Sequence, residues 1–159
     1  MTNTDLSNLY QELLIDHSRQ RHGYGLRDDA AAESSQLNRS CGDEITLRVH
    51  VKDSALESVS WFGQGCAISQ ASASMLSDLI HDLRTADAVE RIAAFRAMLH
   101  SRGTDDGSLE LLGDAVALSG VSRYPPRINC AMLAWVALED AIGRLPAGNV
   151  HSATAEHKG

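Results

Sequence analysis

The sequence has 159 residues, of which 43% are hydrophobic, and a formal net charge of −7. A chain of this length folds as one domain with its own core. It contains no block of Lys and Arg, which argues against binding to nucleic acid or to an anionic membrane surface. No apolar run approaches the roughly 20 residues that span a bilayer. The acidic N-terminus does not have the pattern of a secretory signal, so we expect a cytoplasmic protein.

The first half of the sequence predicts a helix followed by three strands. Leucines at helical spacing predict an amphipathic helix from about residue 4 to 20. ESSQLNR is expected to form a short first strand. In the next segment apolar and polar residues alternate, which predicts a second strand with one buried face; its apolar members are Ile45, Leu47, Val49 and Val51. KDSA then turns the chain, and LESVSWFGQ returns as the third strand of an antiparallel meander.

From Cys66 onward the pattern becomes helical. CAISQASASMLSDLIHDL and TADAVERIAAFRAMLHS predict two amphipathic helices, and LELLGDAVALSGVSR predicts short helical turns. Two prolines open a last long helix, YPPRINCAMLAWVALEDAIGRL. This order predicts an α+β fold, a small three-stranded antiparallel sheet with helices packed on it. We expect one domain over residues 1–145 and a disordered tail over 146–159.

Three cysteines lie at the predicted ends of these elements. Cys41 opens the second strand, and Asp43 follows two residues later, so both side chains point the same way in an extended chain. Cys66 lies in the first turn of a helix, where free N–H groups favour a thiolate. Cys130 lies near the start of the last helix, with Arg127 three residues before it on the same face. An arginine in that position can hold sulfur in its anionic form.

Three thiols and one carboxylate are ligands of the type that tetrahedral zinc takes. Cysteine is also among the most frequently buried residues, so three cysteines without a C-x-x-C pair are compatible with inert core thiols. The C-G-D triplet at residues 41–43 and the glycine before Cys66 favour a shared metal site. Structural disulfides are not expected in a reducing compartment.

Four segments resemble the IscU/NifU N-terminal group of iron–sulfur cluster assembly proteins, and the resemblance extends from Leu9 to Gly143. The segments are LYQELLIDH, CGD at 41–43, GQGCAISQASASM at 63–75 and PPRINCAMLAW at 125–135. Within this group the chain is identified as a SufU-type member. Asn129 precedes Cys130, where the scaffold branch has histidine, and residues 101–123 match the insertion of the SufU branch. Arg127 matches an arginine of the same branch.

The resemblance implies that Cys41, Asp43, Cys66 and Cys130 bind zinc. It implies that Cys41 leaves the metal and accepts persulfide sulfur from a PLP-dependent cysteine desulfurase of the SufS type, which supplies a histidine to zinc in exchange. Arg127 would steady the exchanged anion or the partner surface. A downstream Suf cluster-assembly complex is the further partner. The fold implied is the three-stranded sheet with helices already predicted.

Two other functions stay open. The same ligands suit a scaffold on which an iron–sulfur cluster is assembled, since soft thiolates bind both zinc and iron–sulfur clusters. The third alternative is a protein-binding domain whose cysteines are merely buried.

Three further positions carry expectations of their own. Arg39 replaces the proline of the family's Asn-Pro-x-Cys-Gly-Asp pattern, which is expected to loosen the loop before Cys41. His50 falls on the polar side of the second strand and is expected to be solvated. His17 is expected to pack or cap near the apolar side of the first helix.

Overall fold

The computed structural model describes residues 3–146, and it confirms the predicted α+β class. The elements are α1 (Asn3–Gln20), β1 (Ala32–Asn38), β2 (Asp43–Lys52), β3 (Ala55–Gln64), α2 (Ala67–Leu79), α3 (Thr85–Leu99), α4 (Leu109–Leu112), a 3₁₀ segment (Gly113–Arg123) and α5 (Pro125–Gly143). The expected disordered tail lies outside the described residues, apart from Pro146. None of the helices within residues 3–146 has the length and apolar character needed to cross a membrane.

The sheet is an antiparallel meander with strand order β1-β2-β3, as predicted. Asp53 and Ser54 connect β2 to β3 with φ of 54° and 65°, the left-handed pair that a two-residue type I′ hairpin requires. Leu47 and Trp61 are buried beneath the helices, whereas Phe62, next to Trp61, is 55% exposed. The sheet therefore has one covered face and one face in contact with solvent.

Helix α5 packs against β1 and β2. Hydrogen bonds through Ser72 of α2 determine where α5 and α2 meet. Phe95 of α3 stacks on Trp135 of α5, with ring centroids 3.9 Å apart and planes 8° apart. The Trp135 indole donates a 2.9 Å hydrogen bond to Ser72 Oγ, and that hydroxyl donates to the Ala131 carbonyl at 2.6 Å. Because Ala131 follows Cys130, the buried hydrogen bond from Ser72 to the Ala131 carbonyl also positions the third thiol.

The segment predicted as short helical turns forms α4 and the 3₁₀ segment. Most of its apolar side chains are part of the core, since Leu112, Val116, Leu118 and Val121 are buried, whereas Leu109 at its start is exposed. The inserted region therefore contributes to folding and covers one side of the molecule between α1 and α3.

The expectation for His50 is wrong. Its side chain is only 5% exposed, and Nε2 makes a 2.8 Å hydrogen bond with Ser60 Oγ. His50 keeps its place on the polar side of the strand, paired with Ser58 and bonded to Ser60. The loop before β1 covers this part of the sheet, since the Arg27 N–H donates to Ser60 Oγ at 3.1 Å and the backbone of Asp29 bonds His50. Burial lowers the pKa of His50 below its ordinary value, and the positive charge of Arg27 lowers it further.

Candidate metal centre

The predicted ligands lie at one end of the sheet, where β1 and β3 end and β2 begins. Asn38 at the end of β1 pairs with Asp43 at the start of β2, and Gln64 at the end of β3 pairs with Glu44. The connection from β1 to β2 and the connection from β3 to α2 therefore lie at the same end of the sheet. Helix α5 lies across β1 and β2 and brings Cys130 to this end.

A tight turn presents Cys41. The Gly42 N–H donates to the Asn38 carbonyl at 2.8 Å, and the Ser40 N–H donates to Asn38 Oδ1 at 3.1 Å. Gly42 has a φ of 75°, a left-handed conformation that a residue without a Cβ adopts at little cost. The turn closes on Asn38 although Arg39 stands in the place of the family's proline.

Three of the four predicted ligands form a compact cluster. The Cys41 thiol donates to Asp43 Oδ2 at 3.0 Å, and its sulfur lies 3.1 Å from Cys130 Sγ. Ligand atoms of these three residues all lie within 4.8 Å of one another. Asp43 and Cys130 are each 1% exposed, whereas Cys41 is exposed. The cluster thus has a buried base and one thiol facing solvent.

Cys66 contacts this cluster through the carboxylate. It is the N-cap residue of α2, which agrees with its predicted place at a helix start. The Cys66 backbone N–H donates to Asp43 Oδ1 at 2.9 Å, and its thiol donates to Asp43 Oδ2 at 3.7 Å. The Cys66 sulfur is not part of the compact cluster, so the fourth predicted ligand touches Asp43 without joining the other two sulfurs.

The charges of the cluster depend on these hydrogen bonds. Burial acts to raise the pKa of Asp43, but hydrogen bonds from Cys41, Cys130 and Cys66 outweigh it, and the pKa falls below its ordinary value. Burial raises the pKa of the Cys130 thiol, and its hydrogen bonds with Cys41 and Asp43 raise it further. Asp43 is therefore the ionised acceptor of the site, and Cys130 needs a nearby cation to become a thiolate.

Gly65 and Asn38 shape the cluster from either side. A Cβ placed on Gly65 would press on the Asp43 carboxylate and lie 2.5 Å from Ser69 Oγ. The glycine before Cys66 thus leaves the space that Asp43 occupies. The Asn38 amide donates to Cys130 Sγ at 3.9 Å and is nearly buried. Asn38 belongs to the motif that ends in C-G-D, but no local pattern indicates its contact with Cys130.

Arg127 lies beside the cluster on a surface groove. The groove has a volume of about 1010 Å³ and lies between α1, the 3₁₀ segment and the start of α5. Cys66, Leu14 and Tyr124 also line it. The Arg127 side chain is exposed, and within residues 3–146 its guanidinium makes no hydrogen bond or ion pair. The predicted contact between Arg127 and the Cys130 sulfur is absent from the described hydrogen bonds.

Comparisons with known proteins agree with this architecture. An iron–sulfur cluster assembly scaffold protein IscU from Streptococcus pyogenes serotype M1 is 36% identical over 99% of this chain and 92% of its own length. A zinc-dependent sulfurtransferase SufU from Bacillus subtilis strain 168 is 37% identical over 92% of this chain and 98% of its own length.

A solved structure from Fervidobacterium islandicum AW-1, a proposed iron–sulfur cluster assembly scaffold protein for the SUF system, superposes with a TM-score of 0.75. It is 30% identical and covers 82% of this chain and 93% of its own. The sequence also matches the NifU-like N terminal domain over residues 9–131, which include Cys41, Asp43, Cys66 and Cys130. The chain therefore belongs to the NifU-like N-terminal domain family.

Proposed function

We propose that this chain is a zinc-dependent sulfur-transfer protein of iron–sulfur cluster assembly, in which Cys41 accepts persulfide sulfur from a PLP-dependent cysteine desulfurase of the SufS type. One observation carries the proposal: an exposed thiol stands directly against a buried carboxylate and a buried thiol. A sulfur acceptor needs a nucleophile that a partner can reach, whereas ligands that hold a metal are best shielded from solvent.

The donor set fits zinc. Cys41, Asp43 and Cys130 converge, and Cys66 extends from the same carboxylate, which gives three sulfurs and one oxygen. Bound zinc would supply the positive charge that keeps the thiols deprotonated at neutral pH. The charge would lower the pKa of the Cys130 thiol, which burial otherwise raises, and would so favour the thiolate.

The chain's own residues account for the transfer step. The Cys41 thiolate attacks the terminal sulfur of a cysteine persulfide on the desulfurase, and the sulfur–sulfur bond of that persulfide breaks. The desulfurase cysteine leaves as a thiolate, and Cys41 becomes the persulfide, so no electrons are gained or lost overall. Exposure of Cys41 on a turn gives the partner access, while Asp43, Cys66 and Cys130 stay anchored to β2, α2 and α5.

Arg127 is the proposed binding residue for the anionic sulfur or for the desulfurase. Its guanidinium has no partner within the described residues and lines the groove that also includes Cys66. An arginine at such a site attracts an anionic sulfur species or an acidic side chain of the desulfurase. The Suf assembly complex that receives the sulfur downstream is part of the same proposal.

The second candidate is a scaffold that holds an iron–sulfur cluster on the same ligands. The name of the Streptococcus pyogenes relative favours it, and thiolates suit both occupants. Two features of this chain favour transfer instead. Asn129 offers no imidazole beside Cys130. The inserted region is folded and lines the groove beside Cys66.

Metal analysis separates the two candidates. The chain is purified without chelator and compared with Cys130→Ser for zinc, iron and acid-labile sulfide. The transfer protein predicts about one thiolate-dependent zinc per chain, meaning zinc present in the wild type and lost in Cys130→Ser. It also predicts no chromophore after incubation with iron and sulfide. Iron and sulfide bound in place of zinc would favour the scaffold, and no thiolate-dependent metal would contradict both.

A further inference from the structure

A second group of metal-ligating side chains lies away from the thiols. His17 near the end of α1, His22 in the loop after it and Asp78 near the end of α2 have ligand atoms within 4.8 Å of one another. Cys66 and Asp78 are twelve residues apart along α2, which corresponds to about 18 Å of helix. The two clusters are therefore separate sites.

The distances within this second cluster suit one small cation. His22 Nδ1 lies 2.9 Å from both carboxylate oxygens of Asp78. His17 Nε2 lies 3.9 Å from Asp78 Oδ2 and 3.0 Å from Asp114 Oδ2. Two ligands held about 2.0 Å from a tetrahedral zinc are roughly 3.3 Å apart. The separations of 2.9 Å between His22 and Asp78 and 3.9 Å between His17 and Asp78 lie on either side of that value.

The protonation of His22 identifies the nitrogen that would bind. The side-chain oxygen of Gln20 lies 2.9 Å from His22 Nε2, and an amide oxygen only accepts hydrogen bonds, so Nε2 carries the proton. In the neutral ring Nδ1 then has a lone pair, and this lone pair faces the Asp78 carboxylate. Because carboxylate oxygens only accept, either a proton or a metal ion must lie between His22 Nδ1 and Asp78.

His17 is held in a way that also leaves a nitrogen for a metal. Its ring is 4% exposed, and Nδ1 lies 2.7 Å from Ser74 Oγ. The Ser74 hydroxyl can accept from Nδ1, which leaves the Nε2 lone pair facing Asp78 and Asp114. Ser74 also accepts the His22 backbone N–H at 2.9 Å, so one buried hydroxyl orients both histidines. Hydrogen bonds of this kind fix the tautomer of metal-binding histidines.

We propose that His17 Nε2, His22 Nδ1 and the Asp78 carboxylate form a second metal site for a divalent first-row transition ion such as Zn²⁺. Two neutral imidazoles and one carboxylate match the ligand preference of such an ion and leave its fourth position to a water molecule. Asp114 Oδ2 lies 3.0 Å from His17 Nε2 but outside the group of ligand atoms that are all close to one another. His22 and Asp78 are 40% and 45% exposed, so an ion enters from solvent without opening the fold.

The site has a structural consequence that can be measured. Its ligands belong to α1, the following loop and α2, so a bound ion joins elements that are distant in sequence. An ion that binds the folded chain and not the unfolded chain raises its stability. The proposal is independent of sulfur transfer, because it involves neither the thiols nor the desulfurase.

The test uses the full chain with Cys41→Ser and Cys130→Ser, so that zinc at the thiol cluster does not contribute. The metal-free protein is saturated with Zn²⁺, freed of excess metal by gel filtration, and assayed for bound zinc and for melting temperature. His22→Ala and Asp78→Asn each remove one ligand from a partly exposed position. His100→Ala removes an exposed imidazole at the end of α3 and is the matched control.

We expect about one zinc per chain in the double-serine protein, with a melting temperature that rises on adding zinc. Both effects should disappear in His22→Ala and Asp78→Asn and persist in His100→Ala. If the double-serine protein does not fold, the same ligand variants in the wild-type chain should lower the zinc count by about one. Zinc content unchanged by both ligand variants would overturn the second site, without affecting the thiol-dependent zinc of the proposed function.

Discussion

The Asp43 carboxylate joins the start of β2 to the start of α2, since its Oδ1 accepts the Cys66 backbone N–H at 2.9 Å. Its Oδ2 accepts from the Cys41 thiol at 3.0 Å. One buried side chain thus satisfies a free N–H at a helix N-terminus and anchors the exposed thiol. The carboxylate is both a structural link and the centre of the candidate metal-binding cluster.

Replacing Asp43 by Asn should weaken metal binding while the fold is retained. The amide oxygen still accepts from the Cys66 N–H, but the negative charge is lost. We expect zinc affinity at the thiol cluster to fall at least about 100-fold, because loss of a group that only orients a ligand already costs roughly 10- to 100-fold. Competition with a chromophoric chelator measures the affinity, and an unchanged value would remove Asp43 from the ligand set.

A Gly65→Ala substitution should damage the same cluster by steric pressure. The added methyl group would push on the Asp43 carboxylate and on Ser69 Oγ. Gly143→Ala is the matched control, because a Cβ at Gly143 has no heavy atom within 4 Å. We expect reduced zinc affinity in Gly65→Ala and wild-type affinity in Gly143→Ala, with both proteins folded by circular dichroism. Equal affinities would show that the close approach at Gly65 does not position the ligand.

Arg127→Ala should slow sulfur transfer and leave metal content unchanged. The guanidinium makes no hydrogen bond or ion pair with the described residues, so we expect its removal to leave the cluster undisturbed. Arg84→Ala removes an exposed arginine beside α3 and serves as the control. Initial rates of persulfide transfer, measured at several desulfurase concentrations, should fall in Arg127→Ala alone. A loss of zinc in this variant would instead indicate a structural role.

Acid should destabilise the fold partly through His50. Burial lowers the pKa of His50 in the folded protein below its ordinary value of 6.5, so the unfolded chain binds the proton more readily. Stability is therefore complete above pH 6.5 and declines as the pH falls through the folded pKa, by at most about 1.4 kcal/mol per pH unit.

The variant His50→Gln retains a group that can bond Ser60 but does not titrate. Urea unfolding at pH 7.5 and pH 5.5 should show a larger loss of stability in the wild type than in the variant. The same loss in both proteins would contradict a buried, neutral His50.

The elements and most of the thiol cluster could be predicted because their signals are local. Alternation identifies β2 and helical spacing identifies α1. C-G-D indicates that Cys41 and Asp43 lie close together, although they meet across a turn at Gly42 and not along an extended chain. The Cys41 and Cys130 sulfurs lie 3.1 Å apart through a tertiary contact, which the family resemblance implied and no local pattern indicates. The described arrangement leaves the Cys66 sulfur outside the compact cluster, which no sequence pattern indicates.

The remaining features depend on tertiary contacts, which produce no periodic pattern in the sequence. His50 is buried because the loop containing Arg27 and Asp29 covers its part of the polar side of β2, a tertiary contact that the two-residue repeat does not report. His17 and Asp114 are 97 residues apart in sequence, and no motif links them to His22 or Asp78. Only the packing of α1 on α2 brings His17, His22 and Asp78 together, and the packing of α1 on the 3₁₀ segment places Asp114 beside His17.

The most direct test of sulfur transfer locates the accepted sulfur. The zinc-loaded chain is incubated with a SufS-type cysteine desulfurase and cysteine, and intact-mass and peptide analysis identify the modified residue. Cys41 should gain one sulfur atom, and Cys41→Ser, whose substitution lies on an exposed turn, should gain none while remaining folded. Persulfide on Cys41→Ser at the wild-type level, or sulfur found only on Cys66 or Cys130, would contradict the account.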